Sequence, residues 1–146
     1  MDKRKIIKKT IGWVLYVGIL IGLIIGIPKG LSYVLDSDHP MASITSGSMW
    51  PSLKKGDLVF IKGIENKDEI KQGDIIVYKN AKGFTIHRVA QLNEETVVTK
   101  GDANNTSDAP VRYEDIVGKT VTYSSNKPIR IPFLGSISIL INKSRI

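Results

Sequence analysis

Residues 72–90 read QGDIIVYKNAKGFTIHRVA and contain two short apolar runs separated by a polar turn. The first run, Asp74–Lys79, follows the turn residues Gln72 and Gly73, and the second run is Phe84–Ala90. Runs of this length that are rich in Ile, Val, Tyr and Phe and are bounded by Gly or Asn are typical of β-strands. This stretch therefore predicts two consecutive strands.

Comparable runs occur on both sides of this stretch. They are Asp57–Lys62, Glu95–Lys100, Asp115–Tyr123 and Pro128–Phe133. Short strands between Gly, Asn and Asp turns favour an antiparallel, all-β domain of barrel or sandwich type. The only helical turn that we expect within this domain is around Val111–Asp115.

A last apolar run, Ile131–Ile141, lies near the C-terminus and is eleven residues long. A helix needs about 20 apolar residues to cross a bilayer, so this run is too short to span one. We expect it to form a terminal strand or an apolar edge that rests on the membrane surface.

The N-terminal part has the composition of a membrane anchor. Ile11–Pro28 contains eighteen residues and no charge, and as a helix it would cover about 27 Å of the ~30 Å hydrocarbon core. Trp13 and Tyr16 lie near its basic end, where interfacial aromatic residues are expected. A cleavable secretory signal would instead have about 7–15 apolar residues and a small-residue cleavage site. The run ends in Ile27-Pro28-Lys29-Gly30, which favours an uncleaved anchor.

Charge predicts how this anchor is oriented. The positive-inside rule places the basic segment 1–10 in the cytoplasm, with a transmembrane anchor and connector over 11–35. Residues 36–146 then form a β-rich domain outside the cytoplasm, in a single-pass protein of the cell membrane that contacts lipid. The juxtamembrane connector is expected over Leu31–Pro40, with His39 as a solvated linker residue.

Composition excludes several kinds of site. The 146-residue chain has no cysteine and only two histidines, so we expect no disulfide, no metal site and no cofactor. The net charge is +7, but the first nine residues hold five cations and one acid. Because no basic stripe with interleaved aromatic residues follows, nucleic acid is not an expected partner.

One segment has the features of a reactive turn. Residues 44–51 read ITSGSMWP, with two serines around a glycine. A serine nucleophile needs a nearby base, which His87 could provide, and an acid that orients that base. The loop of residues 100–110, KGDANNTSDAP, offers Asp102 and Asp108. Taken alone, the loop could equally be an ordinary Asx-rich turn.

Four sequence boxes in order resemble the signature of type I signal peptidases, peptidase family S26. They are Ser46-Gly47-Ser48-Met49-x-Pro51, Gly73–Tyr78, His87-Arg88-Val89, and Thr99–Asp102 with Asp108 six residues on. The resemblance runs from about Ser43 to Gly118 and is closest to the branch shared by the endoplasmic reticulum, archaea and some Gram-positive bacteria. The wider bacterial branch has a lysine at the position of His87, so histidine here points to a Ser-His-Asp mechanism.

The resemblance implies a role for each matching position. Ser48 would be the nucleophile and His87 the general base, oriented by Asp108 in preference to Asp102. Ser46 would help to form the oxyanion hole together with the Ser48 backbone N–H. Asp102 would be a second, supporting acid of the same box.

The implied fold is the antiparallel β-fold shared by signal peptidases and repressor-type proteases, behind one transmembrane helix. The implied activity is that of a membrane-bound serine endopeptidase that cleaves signal peptides from exported preproteins after small residues. Accessory subunits remain an open possibility. By position, the candidates for lining the substrate pocket are Ile44, Met49, Leu53 and Ile86.

Two other functions compete with this one. The first is a catalytically inactive, signal-peptidase-like assembly or chaperone factor for exported or pilus proteins, against which the filled Ser, His and Asp positions argue. The second is a self-cleaving regulator of the repressor type. It lacks support, because the serine box is preceded by an apolar anchor and not by a DNA-binding element.

Overall fold

The computed structural model describes residues 3–81, 83–124 and 127–143. A 33-residue helix, α1 (Lys3–Leu35), precedes a β-rich domain that ends in a ten-residue helix, α2 (Leu134–Lys143). The strands are β1 (Met41–Ser43), β2 (Leu58–Lys62), β3 (Ile75–Asn80), β4 (Gly83–Leu92), β5 (Thr96–Lys100), β6 (Val111–Arg112), β7 (Ile116–Thr120), β8 (Thr122–Ser124), β9 (Lys127–Pro128) and β10 (Arg130–Ile131). Residues 1–2 and 144–146, at the ends of the predicted domains, lie outside the described residues.

The main sheet confirms the predicted antiparallel β-fold. Its strand order is β1-β2-β7-β3-β4-β5-β6, β10 also pairs with β2, and β8 and β9 form a separate pair. Each of these pairings between described strands is antiparallel. The stretch 72–90 forms the β3–β4 hairpin, whose six residue pairs run from Ile75↔Arg88 to Asn80↔Gly83.

Strand β3 is buried on both faces of the sheet. Successive side chains of a strand point to opposite faces. Ile75 and Val77 accordingly join one apolar cluster, whereas Ile76 and Tyr78 join a second. The first also contains Ile44, Met49, Leu53, Val59 and Ile61, and the second Ile70, Val89, Val97 and Val111. The sheet therefore separates two cores, which explains why the first four residues of β3, Ile75–Tyr78, are all buried and hydrophobic.

Helix α1 is attached to the domain at its C-terminal end. It is the one helix among the described residues that is long and apolar enough to cross a membrane, over Ile7–Leu35. The segment predicted as a connector, Leu31–Pro40, is helical as far as Leu35. The Leu35 carbonyl then accepts a 2.8 Å hydrogen bond from the Gly63 N–H, and the chain turns at Asp36 with φ 46°.

The C-terminal run Ile131–Ile141 does not form a terminal strand, which was one of the two arrangements expected for it. Helix α2 occupies most of it, and only β10 is a strand. Short apolar runs cannot be assigned to strand or helix by periodicity alone. Here Leu134, Ile137 and Leu140 recur every third residue and share the exposed side of the helix.

Other predicted boundaries also shift. The predicted strand Asp115–Tyr123 is divided between β7 and β8, and Pro128–Phe133 contains only the end of β9 and all of β10. The helical turn expected around Val111–Asp115 is a 3-10 turn over Tyr113–Asp115 that follows β6.

A substitution at Gly135 tests how α2 packs against the domain. Replacing glycine by alanine in a helix normally adds about 1 kcal/mol of stability. At this position a Cβ would overlap the Asp57 carbonyl, so we expect Gly135→Ala to lower the free energy of unfolding by about 1–3 kcal/mol. The measurement is thermal unfolding in detergent, with the exposed Ile137→Ala as a near-neutral control. Stabilisation by Gly135→Ala would contradict this packing of α2.

Candidate active site

The turn between β1 and β2 presents Ser48 beside two buried anchors. The Trp50 N–H donates to the Gly47 carbonyl at 3.1 Å, and the Leu53 N–H donates to the Met49 carbonyl at 2.9 Å. Met49 and Leu53 are almost completely buried. The buried side chains of Met49 and Leu53 therefore fix the backbone of the turn, while Ser48 stays partly accessible at its surface.

A continuous hydrogen-bonded chain joins three residues that are far apart in sequence. Ser48 Oγ lies 3.0 Å from His87 Nε2, and His87 Nδ1 lies 2.6 Å from Asp108 Oδ2. His87 is 8% exposed and comes from the middle of β4. A neutral imidazole in this position can accept the serine proton at Nε2 while its Nδ1–H donates to the carboxylate.

Ser46 lies next to this chain. Its Oγ is 3.0 Å from Ser48 Oγ, and the side chain is exposed. The two hydroxyls are therefore within hydrogen-bond distance of each other at the surface of the turn.

The loop that carries the two acids is tied to the serine turn by backbone contacts. The Ala103 N–H donates to the Ser48 carbonyl at 2.8 Å. A Cβ on Gly101 would lie only 2.7 Å from that same carbonyl oxygen. Glycine is therefore needed at 101 for the loop to approach. This contact was not predicted from the sequence, although the glycine directly before Asp102 was a local feature that could have indicated it.

The two acids of the loop face different partners. Asp108 contacts His87, whereas Asp102 accepts two 2.8 Å hydrogen bonds from Arg88, at Nε and Nη2. Arg88 also donates to the Gly73 carbonyl at 2.8 Å and to Ser52 Oγ at 3.1 Å. His87 and Arg88 point to opposite faces of β4 because they are neighbours in a strand.

The Arg88–Asp102 pair shifts the pKa of both groups. Burial opposes ionisation of Asp102, but hydrogen bonds from Arg88 and Ser52, with the Arg88 charge, outweigh it and lower its pKa. Hydrogen bonding to Asp102 raises the pKa of Arg88, against the effect of its own burial. Both groups are thus charged at neutral pH and cross-link the loop to β4.

A cavity of about 750 Å³ opens beside the serine. Ser48 and His87 line it, together with three of the four predicted pocket residues, Ile44, Met49 and Ile86. The fourth candidate is corrected. Leu53 is not among the described residues that line the cavity, because its side chain is fully buried in the core below the turn.

Sequence reasoning also missed the position of His39. Its side chain is exposed, as expected of a linker residue, but it lines the same cavity. The imidazole lies against the Phe84 ring, with centroids 5.1 Å apart. Nothing in the local sequence indicates this contact, because Phe84 is brought there by β4.

The chain is similar to known proteins across the whole of this site. Residues 25–121 match the family model described as Peptidase S24-like. The signal peptidase complex catalytic subunit sec11 of Sclerotinia sclerotiorum is 35% identical over 130 residues, which cover 79% of this chain and 71% of that protein. The SEC11 subunit of Colletotrichum graminicola is 36% identical over 129 residues, with the same coverage. That of Leptosphaeria maculans is 35% identical over 135 residues, covering 80% of this chain and 71% of that protein.

The lowered pKa of Asp102 predicts a pH-dependent contribution to stability. A carboxyl group with a lowered folded-state pKa stabilises the fold above its unfolded value near 3.9, and this is lost as the pH falls through the folded value. We expect Asp102→Asn to lower the free energy of unfolding by about 2 kcal/mol at pH 7, with a smaller difference below about pH 4. Denaturant unfolding at several pH values measures this.

The control is Glu114→Gln, which breaks the exposed Arg112–Glu114 pair. It should change stability by less than about 1 kcal/mol at any pH. An Asp102→Asn effect of equal size at pH 7 and pH 3 would show that the charge of Asp102 is not what stabilises the loop.

Proposed function

This chain belongs to the type I signal peptidase family, whose members remove N-terminal signal peptides with a serine nucleophile, and we propose that Ser48 is that nucleophile here. The observation that carries the proposal is the unbroken chain from Ser48 Oγ through His87 to Asp108, with 3.0 and 2.6 Å contacts. A relict site in an inactive assembly factor would have no need to keep all three groups in register.

The first half of the reaction forms an acyl-enzyme. Ser48 Oγ attacks the carbonyl carbon of the scissile peptide bond while His87 Nε2 takes its proton. Asp108 holds the imidazole in the required tautomer and stabilises the imidazolium that forms. His87 then gives its proton to the leaving amine nitrogen, the C–N bond breaks, and the mature protein leaves.

The second half returns the enzyme to its starting state. A water molecule attacks the ester carbon, with His87 again accepting a proton. The imidazolium protonates Ser48 Oγ as the acyl bond breaks, and the signal peptide is released with a carboxylate end. In both halves the Ser46 hydroxyl and the Ser48 N–H would stabilise the oxyanion, and a donor of this kind typically accounts for about 10²–10³ in rate.

The cavity supports specificity for small side chains. Ile44, Met49 and Ile86 line it, and Ile44 and Met49 are packed into the core beneath, so they cannot move aside for a large residue without disturbing that core. An extended substrate would lie beside β1, the terminal strand of the main sheet, in the manner of an added strand.

The membrane placement is part of the same proposal. Helix α1 would be the single span, with residues 1–10 in the cytoplasm, 11–35 as anchor and connector, and the peptidase domain 36–146 outside it at the cell membrane. Anchoring enzyme and preprotein in one membrane raises their effective concentration without any new contact. The fungal relatives are named as subunits of a complex, and the proposal extends to accessory subunits for this chain.

Ser48→Ala tests the nucleophile directly. Without Oγ no acyl-enzyme forms, so we expect cleavage of a preprotein in detergent micelles to fall by at least about a thousandfold. Thr106→Ala is the matched control, since Thr106 is exposed in the loop of the two acids, and it should cleave at the normal rate. Full activity of a folded Ser48→Ala protein would contradict the proposal.

The pH dependence of kcat/KM tests the base. Imidazole is the side chain that changes charge near neutrality, and only its neutral form can accept the serine proton. We therefore expect kcat/KM to fall on the acid side of neutrality, as the imidazole takes up a proton. A profile that is flat from about pH 5.5 to 8 would remove His87 from this role.

A further inference from the structure

We propose that Tyr78 and Thr99 are positioning residues for the reaction, forming a buried hydroxyl pair that holds Asp108 against His87. This inference rests on the proposed function, because it assigns to the two hydroxyls the orientation of the acid. Neither residue touches the reacting atoms, and neither lines the cavity beside Ser48.

Several groups converge on one oxygen of Asp108. Its Oδ2 lies 2.6 Å from Thr99 Oγ1, which donates to it, and 2.6 Å from His87 Nδ1. The Tyr78 hydroxyl is 3.3 Å from the same oxygen and 3.4 Å from Thr99 Oγ1. The carboxylate oxygen that the histidine uses is thus the one that both hydroxyls address.

The sheet itself produces this convergence. Tyr78, His87 and Thr99 come from the adjacent strands β3, β4 and β5. In the register, Ile76 is opposite His87 and Val89 is opposite Thr99. Residues that are paired, or separated by two along a strand, share a face, so the two hydroxyls and the imidazole all project from the same side.

Burial leaves these hydroxyls few alternatives. Thr99 is 0% exposed and Tyr78 is 5% exposed, and buried polar groups need a partner inside the protein. Burial, together with the neighbouring Asp108 carboxylate, raises the pKa of Tyr78, which therefore keeps its proton. Thr99 also binds Asp108 a second time, because its carbonyl accepts the Asp108 N–H at 2.8 Å.

The consequence is a fixed carboxylate on an otherwise solvent-facing loop. The Asp108 side chain is 24% exposed, and a carboxylate held only by the imidazole could turn toward water. Hydrogen bonds from the buried side keep Oδ2 at the distance that His87 requires. Removing them should weaken support for the imidazolium while leaving substrate binding intact.

His87 has few ionisable neighbours among the described residues. Asp108 contacts its ring, and the Tyr78 hydroxyl lies on the far side of that carboxylate. Asp102 interacts with the charge of His87 but accepts its hydrogen bonds from Arg88, which is on the same strand as His87. Loss of contact with Asp108 therefore removes the nearest negative charge. The acid limb of the kcat/KM profile should then change in the same way as it does in Asp108→Asn.

The experiment compares hydroxyl-deleting and hydroxyl-retaining variants of the full-length chain in detergent. Thr99→Val should lower kcat about tenfold and Tyr78→Phe about threefold, in line with hydrogen bonds to a charged group. KM should change by less than about twofold, and the acid-limb midpoint should shift in the same direction as in Asp108→Asn. Thr99→Ser, which keeps the hydroxyl, should restore most of kcat.

Thr120→Val is the matched control. Thr120 is a buried threonine in β7, and within the part of the chain that the structure describes its Oγ1 has no hydrogen-bond partner. It should leave kcat and the pH profile unchanged. A folded Thr99→Val protein that matches Thr120→Val in both readouts would overturn the inference. If thermal unfolding shows that Thr99→Val does not fold, Tyr78→Phe decides by the same criterion.

Ser48→Ala, measured in parallel, separates this inference from the one it rests on. An inactive Ser48→Ala protein with normal Thr99→Val and Tyr78→Phe variants rejects only the positioning role. An active Ser48→Ala protein rejects the proposed catalytic site itself, whatever the hydroxyl variants do.

Discussion

The antiparallel pairing of β3 with β4 is the constraint on which the rest of the structure depends. Its register places Ile76 opposite His87 and Ile75 opposite Arg88. Because the sheet separates two apolar cores, a slip by one residue would exchange the two faces. His87 would then point into the cluster of Ile75 and Val77, away from the acid. Packing on both sides of the sheet thus also sets the direction of the His87 imidazole.

The candidate site is assembled from a turn, a strand and a loop, with the strand as the rigid part. The serine turn is anchored by Met49 below and is held by the Ala103 N–H through the Ser48 carbonyl. The acid loop is anchored to β4 through the Arg88–Asp102 pair and to β5 through Thr99. Reactive groups on loops gain precision when rigid elements tie the loops down. The site therefore depends on contacts that do no chemistry themselves.

Much of this could be predicted from local pattern, and the failures have identifiable causes. The β3 and β4 runs were apolar, β-branched and bounded by turns, so their assignment as strands was confirmed. The run at α2 was short and rich in isoleucine, and such a run fits a strand as well as a helix. The choice of Asp108 over Asp102 came from resemblance to a family, since both acids belong to one Asx-rich loop. Leu53 was proposed for the pocket because it is near Ser48 in sequence, yet the turn directs it into the core.

By itself, the sequence determined the elements and the chemical groups: an uncharged N-terminal span, short alternating strands, a Ser-Gly-Ser turn, one strand histidine and two loop acids. These follow from local propensity and from the side chains that the chain contains. Only the tertiary structure decided which groups meet. Ser48 lies 3.0 Å from His87, although the two are 39 positions apart in the sequence. His87 lies 2.6 Å from Asp108, which is 21 positions away. Such contacts are set by sheet register and by the burial of both faces, and these properties belong to the packed chain as a whole.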